Sequence, residues 1–85
     1  MNYNIKLLKK ARKFIETQPK NQQERILKAI NNLPESGDII PLSGRNGFFR
    51  LRVGDYRIIY RVQNEILLIT VVNADNRGQV YKNRK

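Results

Sequence analysis

The sequence contains no cysteine and no histidine. Without cysteine there is no disulfide, no thiolate metal site and no thiol nucleophile, and without histidine the commonest general base and metal ligand is missing. The 7 acidic residues are scattered singly, without the spacing of an oxygen-ligand metal site. Any catalysis by this chain would therefore have to use the side chains of arginine, lysine, tyrosine or isolated carboxylates. We therefore expect no metal and no small-molecule cofactor.

Long hydrophobic runs are also missing. No apolar run approaches the ~20 residues that cross a bilayer, and the N-terminus lacks the short apolar core and small-residue cleavage site of a secretory signal. We therefore expect a cytoplasmic protein with no membrane partner. The length of 85 residues predicts a single domain that covers residues 1–85.

Positive charge dominates the composition. There are 17 lysines and arginines, and the formal net charge is +10, which predicts a polyanionic partner such as nucleic acid, and is compatible with an acidic protein as well. Lysine is the majority basic residue up to Lys28, whereas every basic residue from Arg45 to Arg77 is arginine. Because the guanidinium fork matches phosphate geometry, the second half of the chain is interpreted as phosphate-binding and the first as a source of diffuse positive potential.

The first half of the chain predicts a short strand and two helices. Residues 3–7 alternate apolar and polar side chains, as a strand does. Apolar residues then recur at helical spacing as far as Ile15, and Pro19 fits the first position of a second helix that ends near Pro34. The short joint between the helices predicts that they pack antiparallel.

The second half predicts strands. A strand signal begins at Ile39, and Gly54-Asp55 between two alternating runs predicts a two-residue hairpin turn. A third strand is expected from about Glu65 to Asn73, followed by a polar loop and an edge strand near Val80. The predicted core side of these strands carries Tyr56, Ile58, Tyr60, Val62, Leu67, Ile69 and Val71. The predicted fold is α+β in the order β-α-α-β-β-β, with two N-terminal antiparallel helices packed on one face of a small antiparallel sheet.

The hairpin raises a charge problem. On this pairing Arg52 lies opposite Arg57, and alternation puts Arg50 on the same side, which we call the arginine face. Like charges opposite each other are unfavourable, and Asp55 in the turn is the one hairpin carboxylate that could lie near them. A bound anion would offset the repulsion. The alternative is a solvated face whose arginine stems cover apolar surface.

At this point the motifs resemble a known family. FRLRVGDYRIIYRV, at residues 49–62, is followed by an apolar strand and by R-x-x-V-Y at residues 77–81. Together with the L-x-G segment before the hairpin, this pattern is similar to the RelE/ParE superfamily of type II toxin–antitoxin toxins, over nearly the whole chain. The RelE branch implies a ribosome-dependent endoribonuclease that cleaves mRNA in the A site of the 70S ribosome. It also implies a cognate antitoxin that wraps the toxin and silences it.

The resemblance also implies a set of site residues. The expected catalytic residues are Arg50, Arg52, Arg57, Arg77 and Tyr81. In the implied metal-free route the ribose 2′-hydroxyl attacks the adjacent phosphate, and converging arginines stabilise the added negative charge. Tyr81 is the leading general base, or else a ring that stacks on a base. Asp75 is a second candidate base, in what we expect to be a polar loop.

Other basic residues are expected to bind nucleic acid without taking part in the chemistry. They are Lys9, Lys10, Lys13, Arg45 and Arg61. The lysines lie on the polar side of the first predicted helix, where they are suited either to ribosomal RNA backbone or to an acidic antitoxin helix. Two rival functions stay open: a ParE-like inhibitor of DNA gyrase with the same fold, and a nucleic-acid-binding module without chemistry.

Overall fold

The computed structural model describes residues 3–76 of the chain. They form two helices, five strands and the turns that connect them. In chain order they are β1 (Asn4–Leu7), α1 (Lys9–Glu16), α2 (Lys20–Asn31), β2 (Asp38–Pro41), β3 (Phe48–Val53), β4 (Tyr56–Gln63) and β5 (Leu68–Asn76). The predicted α+β class is confirmed. No helix in residues 3–76 is both long enough and apolar enough to span a bilayer.

The five strands form one sheet in the order β1-β5-β4-β3-β2. Strands β2 to β5 pair antiparallel with their chain neighbours, as expected. Strand β1 instead adds to the far edge, parallel to β5, so the sheet is mixed. The backbone amide of Leu8 extends this pairing by donating to the carbonyl of Val71 at 3.0 Å. Alternation identifies β1 as a strand but carries no information about its partner.

The hairpin register is confirmed residue by residue. Val53 pairs with Tyr56 and Arg52 with Arg57, on either side of the two-residue turn. Gly54 has a φ of +59°, in the left-handed region that glycine adopts at least cost. A two-residue turn fixes the register locally, which is why the sequence predicts this pairing so completely.

The core lies between the helices and one face of the sheet. Helix α1 packs on β5 and α2 on β3. The buried side chains include Ala11, Ile15, Ile26, Ile30, Leu51, Ile58, Tyr60, Ile69 and Val71. The apolar stripes of both helices and the alternating strand residues therefore meet as predicted, and the opposite face of the sheet is left for the arginines.

Three local predictions need correction. Pro19 precedes α2 as its N-cap, with extended backbone at φ −55° and ψ 148°, instead of occupying the first helical position. Strand β5 begins at Leu68, because residues 64–66 form a short 3-10 turn and Leu67 takes a left-handed backbone at φ 52°. Leu67 therefore lies outside the strand. The four-residue connection still has an even length, so the predicted faces of the following residues are retained.

A β-bulge changes the last strand. Tyr60 pairs with Val71, but Ile59 pairs with Asn73, so Val72 is an extra residue in β5. The strand continues to Asn76, whereas the sequence predicts a loop from residue 74 onward. Because the extra residue reverses the alternation, Ala74 turns toward the core and is 5% exposed, and Asp75 moves to the arginine face.

Candidate nucleic-acid interface

One row of charged residues crosses four strands on the arginine face. Asp38 on β2 is opposite Arg52, Arg52 is opposite Arg57, and Arg57 is opposite Asp75 on β5. Each of the two facing arginines thus has a carboxylate on its outer side. The sequence reveals the repulsion between the arginines but not this offset, because both carboxylates come from strands outside the hairpin.

Arg57 and Asp75 form a two-point ion pair. The Nε of Arg57 donates to Oδ1 of Asp75 at 3.3 Å, and Nη2 donates to Oδ2 at 2.8 Å. The two side chains are 35% and 38% exposed. Within residues 3–76 Asp38 and Arg52 form no such pair, and Arg52 is exposed. The offset is therefore uneven: Arg57 is tied to a carboxylate and Arg52 is not.

Arg50 lies in the next row, between Ile40 on β2 and Ile59 on β4. Its side chain is half-buried, and its Nε is buried without a hydrogen-bond partner among the described residues. A buried donor without an acceptor is unfavourable by about 1–3 kcal/mol. Arg50 therefore carries a buried donor without an acceptor among the described residues, next to the exposed Arg52.

A third row contains an aromatic ring held by two arginines. Phe48 pairs with Arg61, whose guanidinium carbon lies 5.8 Å from the centre of the Phe48 ring. The guanidinium carbon of Arg45, from the loop between β2 and β3, lies 4.4 Å from the same centre. Such cation–π contacts contribute about 0.5–1 kcal/mol each at exposed sites. The structure therefore brings Arg45 and Arg61 together at Phe48, whose row lies about 6.8 Å along β3 from that of Arg50.

The sequence analysis did not assign Phe48 or Asp38 to this face, and it did not identify Asp75 as the partner of Arg57. Phe48 was detectable, since it alternates with Arg50 and Arg52 on the same side of β3. The carboxylates were not, because their positions depend on the pairing of β2 and on the bulge in β5.

The remaining predicted residues do not join this face in the described structure. Lys9, Lys10 and Lys13 are exposed on α1, in the helical layer on the other side of the sheet. Arg77 and Tyr81 lie outside the described residues, as does the predicted edge strand near Val80.

The face is suited to binding phosphate, and within residues 3–76 the carboxylates of Asp38 and Asp75 are the groups on it that could act as a base. Within residues 3–76 no three carboxylates converge as metal ligands. Tyr60 belongs to the core, where burial raises its pKa to about 12. Tyr56 also faces the core, and its hydroxyl donates to Oε1 of Gln18 at 3.0 Å. What this surface offers chemically is a set of guanidinium donors on a rigid sheet.

Comparisons with known proteins place the chain in a family. Residues 5–81 match the profile described as the ParE toxin of the type II toxin–antitoxin system parDE. No curated protein matches the sequence significantly.

Solved structures are similar over nearly the whole chain. The archaeal RelE–RelB complex from Pyrococcus horikoshii is 31% identical, with a TM-score of 0.77, and the match covers 93% of this chain and 99% of that one. The RelBE2 toxin–antitoxin complex from Mycobacterium tuberculosis is 23% identical, with a TM-score of 0.75 and coverages of 91% and 100%. The isolated RelE toxin of E. coli is 19% identical, with a TM-score of 0.69 and coverages of 96% and 94%. With the family profile matching most of its length, the chain belongs to the ParE toxin family of type II toxin–antitoxin systems, within the RelE/ParE superfamily.

Proposed function

We propose that this toxin is a ribosome-dependent endoribonuclease that binds mRNA on its arginine face. The observation that carries the proposal is that Arg50, Arg52 and Arg57 share one face of the sheet, where only Arg57 has a carboxylate partner among the described residues. The similarity to solved RelE toxins supports the same branch of the superfamily.

The proposed reaction is attack by the ribose 2′-hydroxyl on the adjacent phosphate. The 2′-oxygen–phosphorus bond forms, the bond from phosphorus to the 5′-oxygen breaks, and the departing 5′-oxygen takes up a proton from water, which leaves a 2′,3′-cyclic phosphate and a 5′-hydroxyl. The arginines hold the phosphate in line for attack and stabilise the negative charge of the pentacoordinate intermediate. We assign deprotonation of the 2′-hydroxyl to Tyr81, and a further phosphate contact to Arg77, both on the resemblance to RelE toxins.

Other basic residues dock the substrate and the ribosome in this proposal. Arg45 and Arg61 flank Phe48 in the row next to Arg50, so they are suited to holding the RNA backbone to one side of the scissile phosphate. Lys9, Lys10 and Lys13 present a separate cationic surface to ribosomal RNA.

The proposed protein partner is a cognate antitoxin. The solved relatives from Pyrococcus horikoshii and Mycobacterium tuberculosis are complexes of a RelE protein with a RelB protein. The net charge of +10 would attract an acidic antitoxin segment. Ribosomes and antitoxin together place the activity in the cytoplasm.

One specific observation favours a second function. The family profile that matches is that of ParE toxins, and inhibition of DNA gyrase is the ParE-like alternative. In that case the arginine face would contact a protein–DNA complex, and no RNA would be cut.

The test is a cleavage assay with purified protein. RNA is supplied either free or threaded through programmed 70S ribosomes, and the cut ends are mapped and identified. Cuts on the ribosome alone, with 2′,3′-cyclic phosphate ends, are the expected result. Intact RNA under both conditions, together with loss of gyrase supercoiling activity, would establish the ParE-like function instead.

A further inference from the structure

Asp75 occupies a position that simple strand alternation does not give it. Continuing from Ile69 and Val71, alternation would turn residue 75 toward the core, but the extra residue Val72 places Asp75 on the arginine face, opposite Arg57. A carboxylate on a phosphate-binding surface opposes binding through its charge. Its presence beside Arg57 therefore calls for a role that outweighs this repulsion.

Stability is a weak explanation for the ion pair. Arg57 and Asp75 are 35% and 38% exposed, and pairs this accessible to water typically contribute about 0–1 kcal/mol to folding. The geometry is more informative. Asp75 bonds the side edge of the guanidinium, through Nε and Nη2. Of the five N–H donors of an arginine, three remain, and they include both donors of Nη1.

We infer that Asp75 is a positioning residue, which holds the Arg57 guanidinium so that its end edge, Nη1 with Nη2, faces the scissile phosphate. The end edge can bind a phosphate through two parallel hydrogen bonds while the side edge stays on Asp75. Holding the group in advance removes the entropy loss of ordering a long side chain during the reaction. This inference rests on the proposed ribonuclease function, and it assigns Asp75 to orientation instead of to the role of general base.

The experiment measures single-turnover cleavage and binding affinity separately, on programmed 70S ribosomes. Asp75→Ala should slow cleavage by about tenfold or more while ribosome affinity changes by less than about threefold, because only the orientation of Arg57 is lost. Asp75→Glu should recover part of the rate. In an Arg57→Ala background, Asp75→Ala should have no further effect, since the residue then has nothing to position.

Asp38→Ala is the matched control. It removes a carboxylate from the same row of the same face, but Asp38 forms no ion pair within residues 3–76. Its cleavage rate should fall much less than that of Asp75→Ala, because no bonded guanidinium is released. Thermal unfolding checks that each variant folds, and the isosteric Asp75→Asn replaces Asp75→Ala if the latter does not.

Three outcomes would overturn the inference. Wild-type cleavage rates in Asp75→Ala would show that Arg57 needs no positioning, and an equal loss in Asp38→Ala would show that only the charge of the face matters. A further loss in the Arg57→Ala background would give Asp75 a role of its own, such as general base. If the unmodified protein cuts no RNA on ribosomes, the proposed function itself fails, which is a distinct result.

Discussion

Arginines of identical chemistry are held in different states on this face. Arg57 is bonded to Asp75, Arg50 is half-buried with its Nε unpartnered among the described residues, and Arg52 is exposed. A side chain that is already ordered stabilises a transition state most effectively, because little reorganisation is needed when charge develops there. Arg57 is therefore the residue whose loss should affect chemistry more than binding.

We expect Arg57→Ala to reduce single-turnover cleavage by about 100-fold, while ribosome affinity falls by less than about threefold. The reason is that its contact with the phosphate strengthens in the transition state. Arg12→Ala is the control for the cleavage step, since it removes the same charge from the exposed side of α1, away from the arginine face. Equal losses of cleavage and affinity in Arg57→Ala would make Arg57 a docking residue only.

Tyr60 links stability to alkaline pH. Its ring is 1% exposed and stacks on Phe49, with the ring centres 5.6 Å apart. Burial raises its pKa to about 12, from about 10 in the unfolded chain. Between these values the unfolded chain releases a proton that the folded protein keeps. The stabilisation from the neutral phenol is therefore complete below pH 10 and is lost as the pH rises toward 12.

At pH 11 this effect should remove about 1 kcal/mol of the free energy of unfolding relative to pH 9. Urea unfolding of the unmodified protein and of Tyr60→Phe at both pH values measures it. The variant should lose less stability than the unmodified protein over this interval. Identical losses would mean that the Tyr60 hydroxyl does not contribute to the pH dependence.

At the scale of elements, the start of β2 depends on a glycine that packs against the core. Gly37 has a φ of +129°, and a Cβ placed there would lie 2.7 Å from Cδ1 of Leu51, which is 1% exposed. Gly44, in the loop that follows β2, has a φ of +75° with open space around the same position. Substitutions at the two glycines can therefore be compared to separate the cost of backbone strain, which both share, from the cost of steric overlap with the core, which only Gly37 has.

Gly44→Ala should cost about 1 kcal/mol of stability from the left-handed backbone alone. Gly37→Ala should cost about 3 kcal/mol or more, because Leu51 cannot move out of a packed core without further loss. Chemical denaturation of both variants tests the difference. Equal costs would show that the core around Leu51 adapts freely.

At the scale of the whole molecule, positive charge covers two separate surfaces. The arginine face and the lysines of α1 lie on opposite layers of the fold. A flat nucleic acid can contact one of them at a time, whereas a concave partner, such as a ribosomal cleft or a wrapping antitoxin, can contact both. The net charge of +10 therefore fits a partner that encloses the toxin.

Replacing Lys9, Lys10 and Lys13 together with glutamine should weaken ribosome binding and make it less sensitive to salt. The slope of log affinity against log salt concentration should fall by about 0.7–0.9 for each phosphate that the variant no longer neutralises. Cleavage of already bound complexes should not change, because these lysines are remote from the arginine face. An unchanged slope, with weaker antitoxin binding, would instead assign the lysines to the antitoxin.

The sequence by itself determined what depends on near neighbours. The two helices follow from their apolar spacing, and the pairing of Arg52 with Arg57 follows from a two-residue turn and a period of two. The arginine face was predictable for the same reason, as was the core side of β4. These features need no knowledge of where distant parts of the chain pack.

Only the tertiary structure decided the partners of that face. One inserted residue reverses every later side chain of a strand, so the bulge at Val72 determines that Asp75 meets Arg57 and not the core. The parallel pairing of β1, the approach of Asp38 to Arg52 and the placement of Arg45 on Phe48 likewise depend on long-range packing. Local patterns specify which side a residue occupies, whereas the balance of pairing energies across the whole sheet selects its neighbour.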